Sequence, residues 1–152
     1  MSLQEQLVND MKEAMKARDE VKVSTIRMLR AAIKNKEIEK GGTSYKLSDK
    51  EIIDVIITAI KQRKDSIEQF TKGNRNDLAE KEKKEAEILQ GYLPPQMSED
   101  DIKAEVKKAI AETGAVSQKD MGKVMKALMP RVAGKADGAV VNRLVKELIG
   151  SN

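Results

Sequence analysis

Six cations towards the C-terminal end have the residue types and spacing best suited to binding chemistry. They are Lys123, Lys126, Arg131, Lys135, Arg143 and Lys146. On a helical wheel at about 100° per residue, Lys123 and Lys126 fall opposite a stripe of Met121, Val124, Met125, Leu128 and Met129. Arg143 and Lys146 stand apart in the same way from Val140, Val141, Leu144, Val145 and Leu148. Arg131 and Lys135 come from the connection between these two segments. A surface of this kind suits a nucleic-acid backbone, because each cation displaces condensed counterions from phosphate. The plainer reading is that Lys and Arg cover the solvated face of any soluble helix.

Other chemistry is scarce. The chain has no histidine and no cysteine, which removes imidazole triads, disulfides and Cys/His zinc sites. Carboxylates are plentiful, as in Glu99-Asp100-Asp101 and Glu85 with Glu87. Residues one or two apart on a helix diverge by about 100° or 200°, so these sets do not converge as an acid/base pair. Gly134-Lys135-Ala136-Asp137-Gly138 lacks the spacing and the Lys-Ser/Thr pair of a Walker loop. It reads as a turn followed by an Asp cap, whose helix-start amides could still meet a backbone phosphate. No catalytic residue, metal ligand or cofactor is expected. The methionine stripe reads as core in preference to an adaptable partner groove.

These residues need helices to position them. Leu3, Leu7, Met11, Ala14 and Met15 predict a first helix, and Val23, Ile26, Leu29, Ile33 and Ile38 a second, ended by Gly41-Gly42. Ser48 and Glu51 form a capping-box pattern before a long third helix running past Phe70, expected to be the most buried of its bundle. A fourth runs from about Asn76 to Gln90, with Leu78, Ile88 and Leu89 inward and Glu80 to Glu85 as a solvated face. Pro94-Pro95 marks a hinge. Beyond it, Ser98 caps a fifth helix that stops at Gly114. Ser117 opens a sixth, interrupted at Pro130 and Gly134, and Asp137 caps a seventh. The expected fold is all-α: an N-terminal four-helix subdomain over 1–93, a hinge over 94–97 and a C-terminal three-helix subdomain over 98–152.

Composition agrees with that class: 39% hydrophobic, 36% charged and only three aromatic rings in 152 residues. With so few rings, RNA would be gripped by shape and backbone charge instead of base stacking. The net charge of +4 permits a local basic patch without demanding one. Met-Ser-Leu-Gln-Glu-Gln lacks the pattern of a secretory leader, and no apolar run approaches a membrane span. A soluble, cytoplasmic protein is the expectation.

The segments Asp120 to Pro130, Gly134 to Gly138 and Val140 to Leu148 resemble the tail domain of the B subunit of the glutamine-dependent tRNA amidotransferase. The whole chain resembles the YqeY family, through Arg27-Met28-Leu29, Asn35-Lys36-Glu37-Ile38, Lys61 to Ser66, Asn74-Arg75, Asp77-Leu78 and Tyr92-Leu93-Pro94. The resemblance implies two all-helical subdomains, the second UBA-like. It links the chain to amide-forming (carbon–nitrogen ligase) chemistry with glutamine as nitrogen donor, but matches the portion that holds tRNA and not the portions that catalyse. It implies an accessory module contacting tRNA or a tRNA-charging complex, with no membrane or DNA partner. The rival expectation is a protein-interaction adaptor that uses the UBA-like unit and never touches RNA.

Overall fold

The computed structural model describes residues 1–150; Ser151 and Asn152, the last two residues of the expected C-terminal subdomain, lie outside the described residues. Seven α-helices and no strand occur among the described residues. They are α1 (Leu3–Lys16), α2 (Glu20–Gly41), α3 (Asp49–Lys72), α4 (Asn76–Gln90), α5 (Glu99–Thr113), α6 (Met121–Val132) and α7 (Gly138–Leu148), with short 3-10 turns at Gly42–Ser44 and Gln118–Asp120. The chain divides into two compact units, Met1–Leu93 and Pro94–Asn152.

In the first unit, local signals set the helix ends. Ser2 and Ser48 each accept from the amide three residues on, and Glu5 and Glu51 reach back to the cap amides, closing two capping boxes. Arg18 turns the chain between α1 and α2 in the left-handed region, with φ 57°, and Asp19 then caps α2 through the Lys22 amide. The core gathers Leu7, Ile26, Leu29, Ile33, Ile52, Ile56, Ile60 and Leu89. α3 is not the most buried helix, since Ile53, Val55 and Ile57 stay half-exposed while α2 buries Thr25, Ile26, Leu29, Ile33 and Glu37. β-branched residues spread around α3 make it apolar on an arc wider than its neighbours can cover. Met15 and Ile38 are also exposed, at 51% and 50%.

Two carboxylates are buried in this unit, one of them against the sequence reading. Glu85, expected on a solvated face, is buried because Arg63 of α3 donates to it at 3.2 Å. Glu37 is buried at the end of α2, accepting from the Gln4 side chain at 2.8 Å and the Leu47 amide at 3.2 Å. It thereby ties α1 and the Tyr45–Ser48 segment to α2.

The second unit closes over Ile102, Val106, Val124, Leu128, Val141, Leu144 and Val145. Ser98 and Asp101 form a third capping box before α5. Gly114 ends α5 at φ 66°, a left-handed cap that only glycine adopts freely. Gln96 and Met97, from the Pro-Pro segment, bond to the carbonyls of Gly134 and Lys135.

Pro130 does not interrupt the sixth helix: α6 continues through it to Val132. The cost is the bond its missing N–H would have made to the Lys126 carbonyl. Lys126 is exposed, so water can reach that carbonyl, and only the last turn is affected. Likewise Ser117 opens a 3-10 turn before α6 instead of α6 itself.

Candidate nucleic-acid interface

The six cations sit in the second unit on three different footings. Lys123 and Lys126 project from α6, whose opposite side buries Val124, Leu128 and Val132. Both are exposed, and among the described residues neither forms an ion pair. Three positions apart on a helix, they are surface neighbours. From Met121 to Ala136 the sequence contains four cations and no carboxylate.

Arg131 is different. Its guanidinium turns towards α5, with Nη2 at 2.5 Å from Glu112 and Nη1 at 3.7 Å from Glu105. Only 34% of the side chain is exposed. Arg143 bridges Glu99 at the start of α5 and lies 3.3 Å from Glu147 on its own helix. Both arginines therefore hold α5 against the other helices of the unit, and any phosphate would have to compete with carboxylates for them.

Lys135 and Lys146 are exposed and, among the described residues, without an ion pair. The Lys146 carbonyl accepts from the Gln118 side chain at 3.1 Å, and the Ile149 carbonyl accepts from the same amide group at 3.4 Å. This brings the C-terminal turn of α7 beside the 3-10 turn that carries Lys119. Lys119 is exposed and absent from the six cations selected by sequence. The signal for it was present, since it precedes Lys123 by four residues. Asp120 tempers this edge: it accepts from the Val116 and Ser117 amides, which hold its carboxyl below its ordinary range.

The Gly134–Gly138 loop turns at Gly134, with φ 75°. Asp137 then accepts from the Ala139 amide at 2.8 Å. A carboxylate already occupies the start of α7, so the amides there do not make a free anion cradle. In the methionine stripe, Met121 and Met125 pack on the core, while Met129 is 43% exposed.

The first unit contains a groove of about 520 Å³ between α2 and α3, to which Asn35, Lys36, Glu51, Thr58 and Gln62 contribute. Glu51 accepts there from Lys40 at 2.5 Å and Tyr45 at 2.8 Å as well as the Ser48 amide at 2.8 Å. Those donors, Lys40 first, bring its pKa down to about 2. A carboxylate so stabilised is a poor base and serves the loop it anchors. Among the described residues no group of three or more Asp or Glu side chains could hold a metal ion, and no helix is long and apolar enough to cross a membrane.

The family model described as Yqey-like protein matches residues 4–149. Among curated proteins, the chain is similar to "Altered inheritance of mitochondria protein 41, mitochondrial" from three yeasts. The Lachancea thermotolerans protein is 44% identical over 108 residues, covering 70% of this chain and 57% of the relative. That of Vanderwaltozyma polyspora is 39% identical over 121 residues, covering 76% and 64%. That of Saccharomyces cerevisiae is 35% identical over 150 residues, covering 93% and 80%. The chain thus spans less than two thirds of the length of the first two. These names overturn the cytoplasmic expectation, because each of these relatives is called mitochondrial. The sequence patterns behind that expectation bear on secretion and membrane insertion and do not separate the cytosol from an organelle interior.

Proposed function

The chain belongs to the YqeY-like family, and from that membership we propose an accessory module that contacts tRNA, or a tRNA-charging complex, without a catalytic site of its own. The resemblance of its tail to the amidotransferase B subunit supports this, with the chemistry of glutamine-dependent amidation left to partner proteins. The C-terminal unit, three helices on one core, is the UBA-like part in this reading, and residues 1–93 form the four-helix part.

One observation carries the proposal: α6 presents Lys123 and Lys126 to solvent with no carboxylate from Met121 to Ala136. Lys135 and Lys146 extend the cationic surface, and Arg131 and Arg143 join it only by leaving their carboxylate partners. With no exposed aromatic platform in the unit, recognition rests on backbone charge and the shape of a folded RNA. The relatives' names make mitochondria the compartment in which to look for it.

The test is binding of the purified full chain to total tRNA over a range of salt. Saturable binding that weakens with salt, and is lost in Lys123→Glu/Lys126→Glu at unchanged helicity, supports the reading. Undiminished binding by that variant removes this surface from it.

A second reading, the protein adaptor, draws on Val116 and Met129, exposed at 78% and 43% in the same unit. A partner protein retained after nuclease treatment, with no tRNA binding at low salt, favours the adaptor.

A further inference from the structure

α2 has a charge pattern of its own. From Val21 to Lys36 it contains five cations and no carboxylate. Arg27, Arg30 and Lys34 fall within about 60° of one another on the helical wheel. All three are exposed, and none forms an ion pair among the described residues. The buried side of α2, Ile26, Leu29 and Ile33, faces the core, so the row is held on a fixed helix. Lys36, off this row, is paired with Glu39 at 3.3 Å, and Lys40 is paired with Glu51.

Two concavities flank the row. Arg18 and Arg27 line the first, of about 480 Å³, together with Ser24, Met15, Met28 and Glu20. Arg30, Lys34 and Lys46 line the second, of about 330 Å³, beside Glu37. Glu37 is already engaged by Gln4 and Leu47 and lies 3.8 Å from Lys46. The Arg30 guanidinium rests against the Met11 sulfur at 3.7 Å, which limits its wandering.

We infer that this arc of α2 is a second phosphate-backbone contact for a folded RNA, with Arg27, Arg30 and Lys34 set against successive phosphates. The inference rests on the RNA reading above, but assigns the contact to the other unit. Seven residues of helix advance about 10 Å, and a nucleic-acid strand carries a phosphate about every 3.4 Å of axis. The row therefore spans about three phosphates. A membrane surface fits less well: such a helix lays an apolar face into lipid, whereas the apolar face of α2 is spent on the core and only Met28 and Ile38 remain outside.

The experiment measures the affinity of the full chain for total tRNA against salt, for wild type and three variants of verified helicity. The first is Arg27→Gln/Arg30→Gln/Lys34→Gln. The second is Lys123→Gln/Lys126→Gln. The third, Lys61→Gln/Lys81→Gln/Lys84→Gln, removes the same number of exposed charges elsewhere in the first unit, none of them in an ion pair among the described residues. The expected result is that the α2 variant flattens the log–log salt slope by about two to three. It should also bind at least about tenfold more weakly than the Lys61/Lys81/Lys84 variant at moderate salt. Equal losses in those two variants overturn the inference, because bulk charge would then suffice. Unchanged tRNA binding by the α2 variant, with lost binding to phosphatidylglycerol vesicles, also overturns it and makes the surface a lipid site. Failure of the α6 variant alone to weaken binding refutes the tail reading and leaves this one standing. No tRNA binding by wild type refutes both.

Discussion

Arg63 of α3 and Glu85 of α4 form an ion pair at 3.2 Å inside the first unit, with side chains 9% and 6% exposed. Arg63 also donates to the Ala59 carbonyl and approaches the Met28 sulfur. The pair stitches the α3–α4 hairpin to α2. Removing one partner strands a buried charge, so Glu85→Ala should cost about 3–5 kcal/mol in urea unfolding. Arg63→Met/Glu85→Leu removes both charges and should recover most of that loss, because desolvating an ion pair offsets much of its attraction. A double variant as unstable as the single one would mean that the pair contributes packing geometry beyond its charges.

Acid should loosen the first unit. Glu51 has its pKa lowered to about 2 by Lys40, the Ser48 amide and Tyr45, and Glu37 is lowered by Gln4 and the Leu47 amide. A depressed folded pKa contributes stability above the unfolded value, 4.5 here, that is lost as pH falls towards the folded one. Unfolding midpoints should therefore drop from about pH 4.5 downwards. Glu51→Gln should be less stable near neutrality and lose less on acidification. An acid limb identical to wild type in Glu51→Gln would assign the acid sensitivity to other carboxylates.

Helix existence and several caps were legible because their signals are local: Ser48, Ser98 and Asp137 each cap through bonds spanning two or three residues. α4 runs from Asn76 to Gln90 as its pattern indicated. What was not legible depends on partners distant in sequence. Glu85 reads like its neighbours Glu80 and Glu82 until Arg63, 22 residues away, is beside it. Arg131 and Arg143 read like Lys123 until α5 supplies Glu112 and Glu99. Charge spacing along one helix says which side faces out, and nothing about which cations are already partnered. Pro130 misleads for a related reason: a proline near a helix end costs one bond, which exposure at Lys126 makes tolerable.

Binding of RNA should be nearly indifferent to pH between about 6 and 8, because the side chains that ordinarily titrate there, histidine and low-pKa cysteine, are missing from the sequence. At fixed salt the affinity for total tRNA should change by less than about twofold across that range. A steep change would mean that a proton moves in the complex, and would call for a group with an altered pKa at the interface.

The ion pairs of Arg131 and Arg143 allow their role to be separated from that of Lys123 and Lys126. Replacing the lysines should weaken RNA binding and leave unfolding midpoints unchanged, since neither lysine forms an ion pair among the described residues. Replacing the arginines by Gln should cost about 0.2–1 kcal/mol each in stability, given partial exposure and solvent screening. The more informative variant removes their partners. In Glu99→Gln/Glu112→Gln both arginines lose their closest carboxylates and, left with Glu105 at 3.7 Å and Glu147 at 3.3 Å, become more available to phosphate. If they are part of the RNA surface, tRNA affinity should rise by more than in Asp65→Asn/Glu87→Gln, which deletes two exposed carboxylates of the other unit that form no ion pair among the described residues. Equal gains in the two variants would reflect net charge alone and confine the arginines to holding α5 in place. The comparison works because each pair deletes the same charge, so long-range attraction cancels and only local release of a guanidinium remains.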